Sequence, residues 1–289
     1  MDPPQPRPDC PLVVAYGLGV NSTAMLVEFA KRDVRPDMIL FADPGGEKPE
    51  IYRYMPVIQA YLKEVKFPPV VTVRYEPKWA ASHTLEGQCL ATGSLPSIAY
   101  GGRSCALKYK VAPQNKLITA TYPPAAFVAE GRRVVRAIGF DAGEERRTYA
   151  GVVKAIGLDA GESHRLAWDK AKPDAGERKP SREAWLDAHF FHYWYPLFDW
   201  GMDRAACEHA IRAAGLPVPA KSACFYCPAS NKREIVWLRE HHPELLDRSR
   251  HRGQRAAQPH LGRRPGSVVR VGRVPRRPRR PAALRRPRL

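Results

Sequence analysis

Two glycines, an asparagine and two hydroxyl residues follow a short apolar run near the start of this chain. Residues 13–27 read Val-Val-Ala-Tyr-Gly17-Leu-Gly19-Val-Asn21-Ser22-Thr23-Ala-Met-Leu-Val. A strand, a tight turn and a helix N-terminus is the order such a stretch predicts. Backbone N–H groups in such a turn approach an anion closely, and the helix dipole favours negative charge there. Glycine removes the Cβ that would block the approach. Ser22 and Thr23 add hydroxyl donors. The predicted chemistry is phosphate binding by Gly17, Gly19, Asn21, Ser22 and Thr23. No Gly-Lys-Ser/Thr follows, so this is not the loop of kinases and GTPases, and the third glycine of the dinucleotide fingerprint is missing. On this stretch alone an ordinary strand-to-helix turn remains open.

The second set of reactive residues is sulfur. Cysteines stand at 10, 89, 105, 207, 224 and 227. Cys224 and Cys227 form a Cys-x-x-Cys before Pro228, on a loop that opens a helix. That spacing suits two ligands of one Zn²⁺ or Fe–S cluster. It equally suits a redox pair, or two buried thiols. Any further ligand would come from elsewhere in the chain, Cys89 being one candidate, or from a substrate atom. Cys10 lies in a Pro-rich leader and Cys207 on the apolar face of a helix, so both read as structural.

These groups need a scaffold. The apolar runs predict strands over 12–16, 37–42, 70–74 and 134–140, with helices over about 22–32, 50–63 and 105–118 between them. Alternation of strands and helices predicts an α/β fold with a parallel sheet. Ligands bind at the carboxyl ends of such strands, where the loops 17–22 and 43–47 both fall. Residues 77–104 read as a polar, Gly-rich loop, and 166–192 as charged and weakly structured. Tyr195-Pro-Leu-Phe-Asp-Trp200 reads as an aromatic turn belonging to the core. Asp203 is placed to cap a helix that Gly215 and Pro217 end, and Asn231-Lys-Arg-Glu234 predicts a capping box on a last helix. Residues 137–147 and 155–165 nearly repeat each other, and two copies at a period of 18 exclude a solenoid.

The chain has 289 residues, 44% of them hydrophobic, which is enough for a sizeable core. No run approaches the length of a membrane span, and residues 1–8 lack the apolar stretch of a signal peptide, so no membrane and a cytoplasmic location are expected. The net charge of +18 is a property of the tail: residues 248–289 hold 15 Arg and no Lys, Asp or Glu, leaving +3 for the rest. Such a tail cannot build a core and is expected to be disordered. It reads as a nucleic-acid-binding arm, a solvated end, or a segment translated in a shifted frame. The abrupt change near Asp247 favours the last, and an intact frame in independent clones would exclude it. The expected domains are a leader (1–10), a nucleotide-binding α/β domain (11–165), a helical part with the Cys-x-x-Cys loop (166–247) and the tail.

Taken together, these segments resemble the PAPS reductase-like branch of the adenine nucleotide α-hydrolase (PP-loop) superfamily. Its phosphate loop, Ser-Gly-Gly-x-Asp-Ser, is matched by Gly17-Leu-Gly19-Val-Asn21-Ser22. Its Phe-x-Asp-Thr-Gly-x-Glu-x-Pro-Glu signature is matched by Phe41-Ala-Asp43-Pro44-Gly45-Gly-Glu47-Lys-Pro49-Glu50. The Gly-x-Asp-x-x-Glu-x-x-Arg and Lys-Ser-x-Cys-x-x-Cys-Pro elements look like those of other members. The resemblance covers residues 12 to about 247. It implies a HUP/Rossmann-like sheet, ATP and Mg²⁺ as cofactors, and cleavage of ATP to AMP and pyrophosphate by an adenylating transferase. A sulfurtransferase acting on nucleic acid is the implied partner chemistry. Asp43 and Glu47 would contact Mg²⁺ or the nucleotide, Arg147 or Arg165 a phosphate, and Cys105 would join Cys224 and Cys227 as a third ligand. Asn21 stands where Asp is usual, and Pro44 replaces Thr. The Cys-Gly-Leu-His segment of true PAPS reductases is absent, which argues against the alternative of phosphoadenylyl-sulfate reduction. A nucleotide-binding protein without catalysis is the third reading.

Overall fold

The computed structural model describes residues 9–77, 82–96, 104–144 and 182–249. Five strands form one all-parallel sheet, in the order β3-β2-β1-β4-β5. They are β1 (Leu12–Tyr16), β2 (Met38–Ala42), β3 (Val70–Val73), β4 (Val134–Ile138) and β5 (Phe191–Trp194). The first two read as near-continuous apolar runs because both faces of a parallel sheet are covered. Register is regular, with Val14 opposite Ile39 on one side and Ala137 on the other. β1 pairs with β2 and with β4, so the strand order reverses at β1, and a crevice opens there at the carboxyl ends.

Helix α1 (Val20–Lys31) starts two residues earlier than expected, because Gly19 serves as its N-cap in extended conformation. Asn21, Ser22 and Thr23 therefore lie in its first turn rather than in the loop. Met25, Leu26 and Phe29 are buried against the sheet. Helix α2 (Pro49–Glu64) begins with a proline in its first turn, where the missing N–H costs nothing. Phe29 stacks on Trp194 with ring centroids 5.4 Å apart. On the same face packs the helix Arg204–Ala213, capped by Asp203, which accepts from Ala206 N at 2.8 Å. The other face is covered by Ile118, Phe127, Leu186 and Phe190.

Four expectations need correction. Residues 77–104 are not loop throughout: Leu85–Thr92 is a helix, capped by Thr84, which accepts from Gly87 N, and ended by Gly93 at φ +64°. The strand over 134–140 stops at Ile138. The charged stretch 166–192 ends in a short helix (Arg182–Trp185), a π-helical turn (Leu186–Phe190) and the start of β5. That fifth strand is only four residues long and lies within a run of aromatic residues that shows no alternation. The helix expected over 105–118 runs through Ser104–Ala106, a π-helical turn (Leu107–Val111) and Ala112–Thr121. The capping box of the last helix (Lys232–His241) is present, with Asn231 and Glu234 exchanging side-chain-to-backbone bonds. No described helix is long and apolar enough to cross a membrane.

Candidate functional site

The loops after β1, β2 and β4 meet at the crevice. In the first, Ser22 Oγ accepts from Gly17 N at 3.2 Å and donates to Gly19 O at 3.2 Å. Thr23 N donates to Gly19 O at 3.0 Å. Leu18 holds φ +54°, a left-handed conformation, with its side chain fully buried. The loop is thus wound tightly around the Ser22 hydroxyl. The N-cap Gly19 has no side chain to cap the first turn of α1, and a helix N-terminus of this kind favours an anion. Thr23 does not join them. Its hydroxyl is buried and bonded to the Tyr16 hydroxyl at 3.1 Å. Gly139, just past β4, lies so close that an added Cβ would sit 2.9 Å from the Ser22 backbone.

The acidic loop 43–47 is equally determined. Asp43 is buried and accepts four bonds: Gly45 N at 2.8 Å, Tyr52 hydroxyl at 2.7 Å, and Arg74 Nε and Nη2 at 3.0 and 2.7 Å. That uses the acceptor capacity of a carboxylate, and Asp43 holds the loop in shape. Burial and the neighbouring Asp43 charge raise the Tyr52 pKa, so its phenol stays a donor. Glu47 is also buried. Its Oε1 accepts from Lys110 Nζ at 2.8 Å, while its Oε2 has a long 3.5 Å contact from Ser222 Oγ. Burial opposes the Lys110 charge, but Glu47, with Cys224 and Cys105 behind it, outweighs that and raises the ammonium's pKa.

The Cys-x-x-Cys loop closes the third side. Cys224 forms an antiparallel bridge with Glu47, and Phe225 N donates to Gly46 O at 3.0 Å. Gly46 has no room for a side chain, because a Cβ would meet the Tyr226 ring at 2.5 Å. At Gly19 an added Cβ would lie 3.4 Å from Ser222 Cβ, in ordinary contact. Burial and the Glu47 carboxylate push the Cys224 thiol up to about 12. Cys105 sits close enough to Cys89 and Cys224 to affect both thiols. Among the described residues, however, no three His, Cys, Asp or Glu side chains converge as the ligands of an ion or cluster must. As placed, Cys105, Cys224 and Cys227 do not fit a metal centre, and no step below runs through one. A cleft of about 280 Å³ lies beside this loop, lined by Lys48, Phe225, Cys227, Glu234, Ile235 and Leu238.

The sequence placed the loops 17–22 and 43–47 at one crevice; in the structure Glu47 also bridges to Cys224, and Cys105 lies near Cys224. Sequence reasoning missed Tyr52, Arg74, Lys110 and Arg204. Arg74 directly follows β3 and Lys110 lies five residues past Cys105, so position after a strand and nearness to a motif were the available signals. Lys221 pairs with Glu234. Arg147 and Arg165 lie outside the described residues.

The chain matches no family model and no curated protein. Among solved structures it is similar to the U34-tRNA thiolase NcsA from Methanococcus maripaludis with its [4Fe-4S] cluster. The identity is 12%, the TM-score 0.41, and the likeness covers 88% of this chain and 74% of that one.

Proposed function

We propose that this chain binds ATP at the β1–α1 loop and transfers its adenylyl group to an acceptor oxygen. The observation that carries this reading is the convergence of the phosphate loop, the acidic loop and the Cys-x-x-Cys loop at the point where strand order reverses. A Cβ added at Gly46 would strike Tyr226, and one added at Gly19 would lie against Ser222, so the segment with the Cys-x-x-Cys packs close to both other loops. The triphosphate lies along residues 17–22, with the first N–H groups of α1 and the Ser22 hydroxyl around it. The acceptor oxygen attacks the α-phosphorus. The bond from that phosphorus to the oxygen bridging to the β-phosphorus breaks, and pyrophosphate leaves with the bond's electrons. The acceptor is then an adenylate, and AMP departs with the acceptor's oxygen when a sulfur or nitrogen nucleophile displaces it.

Positioning and charge stabilisation carry such a reaction. Among the described residues Glu47 Oε2 has only the long contact from Ser222, so Glu47 is the residue that would hold a magnesium ion, which would screen the phosphate charge. The cleft beside Cys227 is the seat we assign to the acceptor, and a nucleic-acid base bearing an exocyclic oxygen is the class we favour. The thiols beside the acidic loop support that choice, since they border the position where oxygen would be exchanged for sulfur.

Calorimetry with ATP·Mg²⁺ tests the reading. Wild-type protein is expected to bind. Ser22→Ala, which removes the hydroxyl that winds the loop, is expected to bind roughly tenfold more weakly. PAPS is expected to compete poorly. Absence of ATP binding by the wild-type chain would overturn the proposal.

A further inference from the structure

Asn21 replaces the acid that the family's phosphate loop carries, and its surroundings show what an amide does there. Asn21 Nδ2 donates to Asp141 Oδ2 at 3.0 Å, and Asn21 Oδ1 accepts from Arg204 Nη1 at 3.4 Å. Asp141 is buried, and its Oδ1 accepts from Gly143 N at 3.0 Å. It follows β4 by three residues, so it reaches the crevice from the opposite side of the reversal point. An amide donates on one side and accepts on the other. A carboxylate at position 21 would face the buried carboxylate of Asp141 and be repelled. Asn21 and Asp141 are therefore consistent with each other, and the loss of the loop's acid is matched by an acid delivered from β4.

Arg204 is the other end of this chain of contacts. It opens the helix Arg204–Ala213, which packs against α1. Its Nε donates to Glu208 at 3.1 Å, and its side chain is about half exposed. Those contacts engage Nε and Nη1, and a guanidinium has five N–H donors in a planar fork that matches a phosphate. We propose that Asp141, Asn21 and Arg204 form a positioning relay: Asp141 fixes the Asn21 amide, and the fixed amide holds Arg204 as the cation that meets the nucleotide's phosphates. The relay rests on the nucleotide reading above and adds the phosphate-binding cation that the loop itself lacks.

The test is calorimetry of ATP·Mg²⁺, with adenosine as the phosphate-free control, on wild type, Arg204→Ala, Asn21→Asp and the double variant Asn21→Asp/Asp141→Asn. Thermal unfolding of each variant separates folding from binding. Arg204→Ala is expected to weaken ATP about tenfold or more and to leave adenosine unchanged, because a charge-assisted bond to phosphate is lost. Asn21→Asp is expected to weaken ATP to a similar degree. The double variant exchanges donor and acceptor and is expected to recover most of the affinity. Unchanged ATP affinity in Arg204→Ala would overturn the relay while leaving the nucleotide site standing. Equal loss of ATP and adenosine, or no recovery in the double variant, would also overturn it. A wild-type chain that binds no ATP would overturn both proposals.

Discussion

The phosphate loop and the Cys-x-x-Cys loop meet across residues 43–47, yet different forces hold them there. The phosphate loop is fixed from below. It joins β1 to α1, and Val14, Leu18, Met25 and Phe29 bury it in the main core. The Cys-x-x-Cys loop has no strand beneath it. It is held by a smaller cluster that includes Leu85, Tyr109, Phe225, Tyr226 and Leu238, and by the bridge from Cys224 to Glu47, whose carboxylate forms an ion pair in turn with Lys110 of the π-helical turn. A loop seated on a sheet inherits its position from the sheet. A loop seated on another loop depends on a few polar contacts and on glycines that leave room for it. The second kind of site is easier to break.

The largest effect is expected at that ion pair. The Glu47 side chain is 0% exposed and Lys110 Nζ lies 2.8 Å away. Lys110→Met leaves a buried carboxylate without its cation. Removing one partner of a buried pair costs about 3–5 kcal/mol, and the 40% exposure of Lys110 lowers that to about 2–3 kcal/mol. Chemical denaturation at pH 7 measures it. Glu47→Gln/Lys110→Met is expected to regain more than half the loss, since no charge is then stranded. The raised Lys110 pKa adds a pH signature. A lysine whose folded pKa lies above its unfolded value stabilises fully below the unfolded value and loses that contribution as pH rises through the folded one. The wild-type advantage over Lys110→Met should therefore hold across neutral pH and fade only in strong alkali. A loss no larger than a surface pair's would mean that Lys110 does not anchor Glu47, the residue that Cys224 bridges to.

The next effect probes the better-supported side. Gly139→Ala places a Cβ 2.9 Å from the Ser22 backbone, which cannot swing aside as a side chain would. Overpacking of this kind costs about 1–3 kcal/mol, and ATP affinity should fall with it, because the displaced atoms belong to the anion seat. Calorimetry and thermal unfolding on the same variant check both. Stability lost without any loss of ATP binding would separate Gly139 from the nucleotide site.

The same contrast explains what was legible in the sequence. Strands β1 to β4 and helices α1 and α2 were readable because apolar period and turn residues are local properties. So were the Asp203 cap and the Asn231–Glu234 box, whose partners lie three residues apart. The Thr23–Tyr16 bond was not legible, because a hydroxyl in the first turn of a helix points to solvent or to core according to where Tyr16 lies on the neighbouring strand. Lys110 was not recognised because a lysine in a helix reads as solvated until the partner 63 residues away is known. Arg204 and Asp141 were overlooked as partners of Asn21 for the same reason, with 183 and 120 residues between them. The π-helical turn Leu107–Val111, which carries Tyr109 and Lys110, has no signature in composition.

The smallest effect tests how the cysteine-bearing segment is tied to the sheet's own helices. His242, just beyond the last helix, bonds Glu50 Oε1 through Nε2 at 2.7 Å, and Arg53 lies 3.7 Å from the same oxygen. Burial raises the Glu50 pKa, but the His242 bond and the Arg53 charge outweigh it and lower the value overall. A carboxylate with a depressed folded pKa stabilises the fold above its unfolded pKa and loses that contribution as pH falls through the folded one. Glu50→Gln should therefore cost less than about 1 kcal/mol at pH 7, as partly exposed pairs do. The gap from wild type should close as pH falls below about 4.5, near the ordinary carboxylate value. Melting temperatures of the two proteins across that range measure it. A gap that persists in acid would assign the contact to shape rather than charge, and the Cys-x-x-Cys segment would then be held to α2 by packing, as the phosphate loop is held to the sheet.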